Sequence, residues 1–307
     1  MVGRKETATS LQIVQFIFRL KNTQLNTDKM KQFNEELLTS DWRKNRPEKY
    51  GLTMTDKKTI DKHERLLPPE LIEGKSILDI GSYISQTGDW CLNNGAAKYT
   101  GVEVIKDFAD KGLELMEKYH AGENWNVINT SIEDYFANHN EKYDIIFCWG
   151  VLFSQMDHAW FIKNLTDRAD RITINGRHPK VMWNDNQHEI SDTLWRKFEY
   201  DIPYQEWQVN EMTQTAEKNA SVRVTSAHTS MKAVQLLMES NGFVSSTESY
   251  DYFKKVMSED IGMFRERDKV GFFVLECTRD SSAQKPNLFN EMVNEPEVWN
   301  EKRIDWS

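Results

Sequence analysis

The 307-residue chain is 39% apolar and 28% charged, with net charge −9 and a pI near 5.4. Such a chain is globular, long enough for one large domain with attachments, and not an obvious non-specific nucleic-acid binder. The charge is uneven, however: residues 1–66 hold 14 Lys/Arg against 9 Asp/Glu, a net of +5, which leaves −14 for the remainder. Cys91, Cys148 and Cys277 are too scattered for a disulfide framework or a metal ribbon.

At the start of the chain, Leu11, Val14, Ile17 and Phe18 share a helical face over 11–20. That stretch is too short and too polar to span a membrane and lacks a signal-peptide cleavage pattern, so a soluble, cytoplasmic protein is expected. A second helix is predicted over 28–38, carrying Met30, Phe33 and Leu37. Residues 41–52, DWRKNRPEKYGL, form a basic and aromatic connector, followed by a charged helix over 55–66 and a break at Pro68-Pro69. These elements make an N-terminal helical extension, 1–70.

From residue 76 strands alternate with helices. Strands are predicted at 76–82, 99–104, 126–131, 143–152 and 171–176, with helices at 86–94, 106–119 and 158–168 and a short one after the third strand. Residues 177–227 interrupt this pattern with a polar and aromatic insertion, long enough to be a lid or substrate-binding segment. A helix over 229–243, stopped at Gly242, then leads to two final strands, 244–252 and 269–278. The expected fold is α/β and Rossmann-like over 71–280: a mostly parallel seven-stranded sheet with helices on both faces, then a polar tail, 281–307.

In such sheets ligands bind at the carboxyl ends of the strands. The first strand runs into the loop of SILDIGSYISQTGDW (76–90), which supplies Asp79 and Gly81. Tyr83 and Ser85 stand where a nucleotide loop would carry further glycines. Glu103 ends the second strand, 22 residues beyond Gly81, suited to accept hydrogen bonds from two ribose hydroxyls. Ile132 and Glu133 follow the third strand as an apolar surface beside an acceptor, as an adenine needs. Trp149, Gly150 and Phe153 follow the fourth and would cover the other face of a base. Pyrophosphate requires a glycine-lined helix N-terminus, which Tyr83 and Ser85 obstruct. A sulfonium nucleoside carries no phosphate and tolerates these side chains.

The segments ILDIGSYISQTG, YTGVEV, NTSIEDY, YDIIFCWGVLF and LLMESNGF make residues 76–278 resemble class I S-adenosylmethionine-dependent methyltransferases. More narrowly, from about residue 42 onward the chain is similar to the bacterial tRNA wobble-uridine carboxymethyltransferase family. The similarity rests on Trp42-Arg43-Lys44, Tyr50-Gly51, Lys62, Ser131-Ile132-Glu133 and Trp149-Gly150-Val151-Leu152-Phe153. It implies that Lys44 and Lys62 contact the cofactor. The family's tyrosine that helps hold an extra carboxylate is Phe153 here, and its late arginine falls near Gly271 or Phe272. S-adenosylmethionine is therefore the expected cofactor, with carboxy-S-adenosylmethionine the alternative.

The expected reaction is in-line methyl transfer, in which positioning and desolvation do most of the work. Candidate catalytic residues are Lys44 and His158, the latter as a base after the fourth strand. His178, Asp185 and His188 match no common ligand spacing, so no metal is expected. The resemblance and the basic N-terminal region point to a tRNA acceptor. The acidic pI and the aromatic insertion point instead to a small-molecule acceptor, and the altered loop to a non-catalytic cofactor-binding protein.

Overall fold

The computed structural model describes residues 30, 32–36, 62–177, 205–213, 221–259 and 272–280. The expected helix at 11–20, the connector with Lys44, the histidines of the insertion and the tail lie outside them. Seven strands form one sheet in the order Trp125–Asn129, Lys98–Glu103, Ser76–Ile80, Tyr143–Cys148, Ala169–Arg177, Phe272–Arg279 and Phe243–Ser246, and Gln205–Thr213 pairs with Ser221–Thr229 in a separate sheet. The chain divides into two compact units, 1–139 and 140–307.

In the first unit β1 (Ser76–Ile80), β2 (Lys98–Glu103) and β3 (Trp125–Asn129) are parallel, with Asp79 beside Gly101 and Val102 beside Ile128. β1 and β2 are buried almost throughout because helices cover them, whereas β3 has no strand beyond it and is half-exposed. The short helix α1 (Pro69–Ile72) opens on the proline break. α2 (Gln86–Asn93) packs on β1 and β2, and α3 (Lys106–Tyr119) on β2 and β3. α3 buries Phe108, Gly112, Leu115 and Met116 along one stripe, while Lys106 and Asp110 pair at 2.7 Å on its outer face. The third strand stops short of Ser131, its expected end. That residue instead caps α4 (Ile132–Asn138), its hydroxyl accepting from the Asp134 N–H at 3.0 Å.

In the second unit β4 (Tyr143–Cys148) pairs in parallel with β5 (Ala169–Arg177). The fourth strand is shorter than expected because Gly150 turns the chain with φ +79° and Leu152–Ser154 form a 3-10 turn. α5 (His158–Thr166) is capped by Asp157, which accepts from the Trp160 N–H at 2.9 Å. The insertion contains an antiparallel hairpin, β6 (Gln205–Thr213) with β7 (Ser221–Thr229), and β7 lies against the 3-10 turn. α6 (Met231–Ser240) starts at Ser230 and ends before Gly242, whose φ is +79°. β8 (Phe243–Ser246) and β9 (Phe272–Arg279) are antiparallel partners, and β9 also runs antiparallel to β5. The expected strand 244–252 is corrected: it ends at Ser246, whose hydroxyl accepts from the Glu248 N–H at 3.2 Å, and α7 (Glu248–Glu259) begins. A capping hydroxyl followed by Glu248 and Asp251 in the first turn favours a helix there.

Candidate cofactor site

In the first unit the polypeptide leaves β1 at Gly81 with φ +74° and reaches α2 through Tyr83 and Ser85, at φ 55° and 62°. Among the described residues these are the only two non-glycine positions with positive φ. The backbone therefore adopts the left-handed conformation of a glycine-rich loop while carrying side chains, at a cost of about 1–3 kcal/mol each. The space that loop glycines would give is found in the surrounding elements. A Cβ on Gly101 of β2 would lie 2.8 Å from Ser82 Oγ, and one on Gly112 of α3 would lie 2.9 Å from Ser85 Oγ. A Cβ on Gly88 of α2 would lie 2.5 Å from the Tyr99 ring. Gly101 and Gly112 thus give room to Ser82 and Ser85 of the loop, and Gly88 to Tyr99 of β2. A loop motif carries no sign of this, because Gly101 and Gly112 belong to β2 and α3.

Glu103 locks the loop from the end of β2. Its Oε2 accepts from the Tyr83 N–H at 2.9 Å and its Oε1 from the Ile105 N–H at 2.8 Å. Burial raises its pKa, and those backbone donors act in opposition. A third backbone N–H, that of Val104, also lowers its pKa, and a carboxylate with about four acceptor sites keeps capacity for a further donor. The Tyr83 ring meets Phe108 edge-on, 4.5 Å between centroids. Beyond Glu103, Ile132 is buried at the start of α4 and Glu133 is exposed.

Under the loop lies a buried polar cluster. Asp79 is 2% exposed and accepts from the Tyr99 hydroxyl at 2.8 Å. Burial raises its pKa to about 6, with Tyr99, Lys62 and Thr87 pulling the other way. Lys62 is half-buried at the edge of the cluster, and desolvation lowers it to about 8, opposed by the charge of Asp79. His63 Nε2 lies 3.2 Å from Thr87 Oγ1, and burial holds this ring well below the usual histidine range. The structure thus brings Lys62, Asp79, Gly81, Tyr83, Ser85 and Glu103 into one neighbourhood, and adds Tyr99, Thr87 and His63 as supports.

In the second unit Trp149 stacks on Phe147 at 5.9 Å and meets Phe253 edge-on at 6.4 Å. The Gly150 N–H donates to Asn175 Oδ1, which fixes the turn after β4, and Phe153 is half-buried. His158, expected as a base, is 2% exposed with Nε2 3.0 Å from the Leu152 carbonyl oxygen. That contact places the proton on Nε2 and ties the ring to the 3-10 turn. A cavity of about 440 Å³ lies at the other ends of β4 and β5, lined by Lys142, Arg168 and Arg279 among others. Its cations are engaged internally, Arg279 with Asp170 at 2.6 Å and Arg168 with Asn164 at 2.9 Å. No cluster of three metal-ligating side chains and no helix long and apolar enough to cross a membrane occurs among the described residues.

No protein-family model and no curated protein sequence matches the chain. Among solved structures, a protein from Listeria monocytogenes assigned as an S-adenosylmethionine-dependent methyltransferase is 13% identical. The match covers 72% of this chain and 98% of that one, with a TM-score of 0.51. An S-adenosylmethionine-dependent methyltransferase from Mesorhizobium loti is 12% identical over 71% of this chain and 96% of its own, TM-score 0.48. Magnesium protoporphyrin IX methyltransferase from Synechocystis PCC 6803, solved with S-adenosylhomocysteine, is 13% identical over 73% and 82%, TM-score 0.45. At such identities the likeness is one of fold. The chain has the Rossmann-like fold of S-adenosylmethionine-dependent methyltransferases, with a seven-stranded, mostly parallel sheet.

Proposed function

We propose that the protein is an S-adenosylmethionine-dependent methyltransferase. The observation that carries this reading is the Gly81–Ser85 loop, glycine-like in backbone, side-chain-bearing, and tied to a ribose-type acceptor at Glu103. These features suit a nucleoside without phosphates, and the fold is the one in which such cofactors are bound. Glu103 would hold the ribose and Ile132 with Glu133 the adenine. Asp79 and Lys62 offer opposite charges to an amino-acid end. The cofactor supplies a methyl group on positive sulfur. Transfer would form a bond from an acceptor lone pair to that carbon, return the carbon–sulfur electrons to sulfur and release the acceptor's proton. The protein's part is alignment and exclusion of water.

The acceptor favoured here is a tRNA wobble uridine, supported by the sequence resemblance and the basic first 66 residues. Transfer of a carboxymethyl group is the weaker reading, because Phe153 lacks the hydroxyl such a cofactor's extra carboxylate would use. Calorimetric titration with S-adenosylhomocysteine tests the assignment. Binding is expected, and Glu103→Ala should weaken it by about 1.5–3 kcal/mol through loss of charge-assisted hydrogen bonds. Absence of heat with the wild-type protein would remove the cofactor reading. An unchanged affinity in the variant would remove Glu103 from the site.

A further inference from the structure

We infer that the helical segment 32–36 is a clamp holding the Gly81–Ser85 loop in its strained, ligand-ready shape, with Asn34 as its positioning residue. What the loop then binds rests on the cofactor reading above. A left-handed serine at the start of α2 relaxes unless its surroundings prevent it. On one side the restraint is Glu103 together with the fit of Ser82 against Gly101. On the other side Ser85 is wedged against Gly112 of α3, so α2 and α3 must keep their spacing for the loop to keep its shape.

Segment 32–36 touches both helices. At the end of α3, Phe33 is fully buried with its ring 5.6 Å from that of Tyr119. Glu36 accepts from the Tyr119 hydroxyl at 2.5 Å and pairs with Lys118, and these two donors hold its carboxyl below the usual range. At the start of α2, Asn34 Oδ1 accepts from Gln86 Nε2 at 3.1 Å. Gln86 is the residue immediately after Ser85.

The two anchor points differ in kind. Gly112 and Tyr119 are seven residues apart on α3, about 10 Å along the axis, so Phe33 and Glu36 brace the far end of that helix. Adhesion needs only Phe33. Asn34, 8% exposed, instead commits a largely desolvated amide to one group at the loop's exit. A buried amide is tolerated where its partner is fixed, and it fixes that partner in return. The segment therefore cross-braces the helix carrying Gly112 to the residue that follows Ser85.

The test uses the full chain and three variants, Asn34→Ala, Asn34→Asp and Phe33→Ala. The readouts are amide hydrogen exchange at Ser82, Tyr83 and Ser85, titration with S-adenosylhomocysteine, and the melting temperature. Asn34→Ala is expected to speed exchange at those amides and weaken binding, each about tenfold, with little change in melting temperature. Asn34→Asp, which still accepts from Gln86, is expected to restore both, and Phe33→Ala to loosen the loop and also lower the melting temperature. Unchanged loop exchange in Asn34→Ala and Phe33→Ala overturns the clamp. So does loosening that appears only in proportion to global destabilisation, or that Asn34→Asp does not reverse. If exchange responds as expected but the wild-type protein takes up no S-adenosylhomocysteine, the clamp stands and the cofactor reading falls.

Discussion

Lys62 and Asp79 show how single residues in this site oppose stability. Burial disfavours the charge on each: Asp79 is raised to about 6 and Lys62 lowered to about 8. For Asp79 the folded protein holds its proton more tightly than the unfolded chain. Its contribution to stability is therefore lost as pH rises from about 4 to about 6. For Lys62 the unfolded chain binds the proton more tightly, so the penalty stands below about 8 and is relieved as pH climbs towards 10. Between about 6 and 8 both groups are ionised at a cost. A zwitterionic ligand end would offset that cost; a neutral ligand would not. The double variant Lys62→Met, Asp79→Asn should make the free protein equally or more stable at pH 7, by up to about 4 kcal/mol in chemical denaturation. It should abolish S-adenosylhomocysteine binding. Lys62→Met alone should raise the Asp79 titration further, since it removes a charge that opposes the effect of burial, and a pH series of denaturation curves would show it. A double variant less stable than both singles would mean the pair is held for stability, not for a ligand.

Among elements, the loop and its three walls act as one unit, and their glycines are interchangeable in a defined sense. Gly112→Ala should push Ser85 out of place, lowering stability by about 1–3 kcal/mol and weakening S-adenosylhomocysteine binding. Adding Ser85→Gly removes the clashing hydroxyl and suits φ 62°, so the double variant should recover most of the loss despite the remaining 3.2 Å contact to the Ile84 backbone. Failure of that rescue in thermal melts would show that Gly112 matters for helix packing alone. This exchange of glycine between loop and walls explains why the loop looks incomplete in sequence. Strand-end residues such as Asp79 and Glu103 are legible because alternating strands and helices locate strand ends. Contacts between residues 24 or 52 apart, such as His63 with Thr87 and Asn34 with Gln86, leave no periodic trace. Boundaries fail where a capping side chain decides them. Ser246 and Ser131 sit in runs compatible with a strand, yet their hydroxyls accept from the N–H groups that open α7 and α4. His158 shows the same limit: its place after β4 is legible, but its burial and its contact with the Leu152 carbonyl are not.

For the whole molecule the proposed tRNA acceptor is a question of charge. The first 66 residues carry a net +5 in a chain that is otherwise strongly acidic, and the connector alone contributes Arg43, Lys44, Arg46 and Lys49. A protein of net −9 repels RNA at long range, so any tRNA binding must be local to that basic stretch and steeply salt-dependent. Gel shifts with bulk tRNA should show binding at low salt that weakens as salt rises. Replacing those four residues by alanine in the full chain should flatten the salt dependence by about one unit of logarithmic slope for each phosphate no longer neutralised. Calorimetry with S-adenosylhomocysteine should register the change at Lys44 if the resemblance-based contact exists, and no change from the other three. If the wild-type protein fails to shift tRNA at low salt, the acidic body governs recognition. The proposed transfer would then need a small-molecule acceptor.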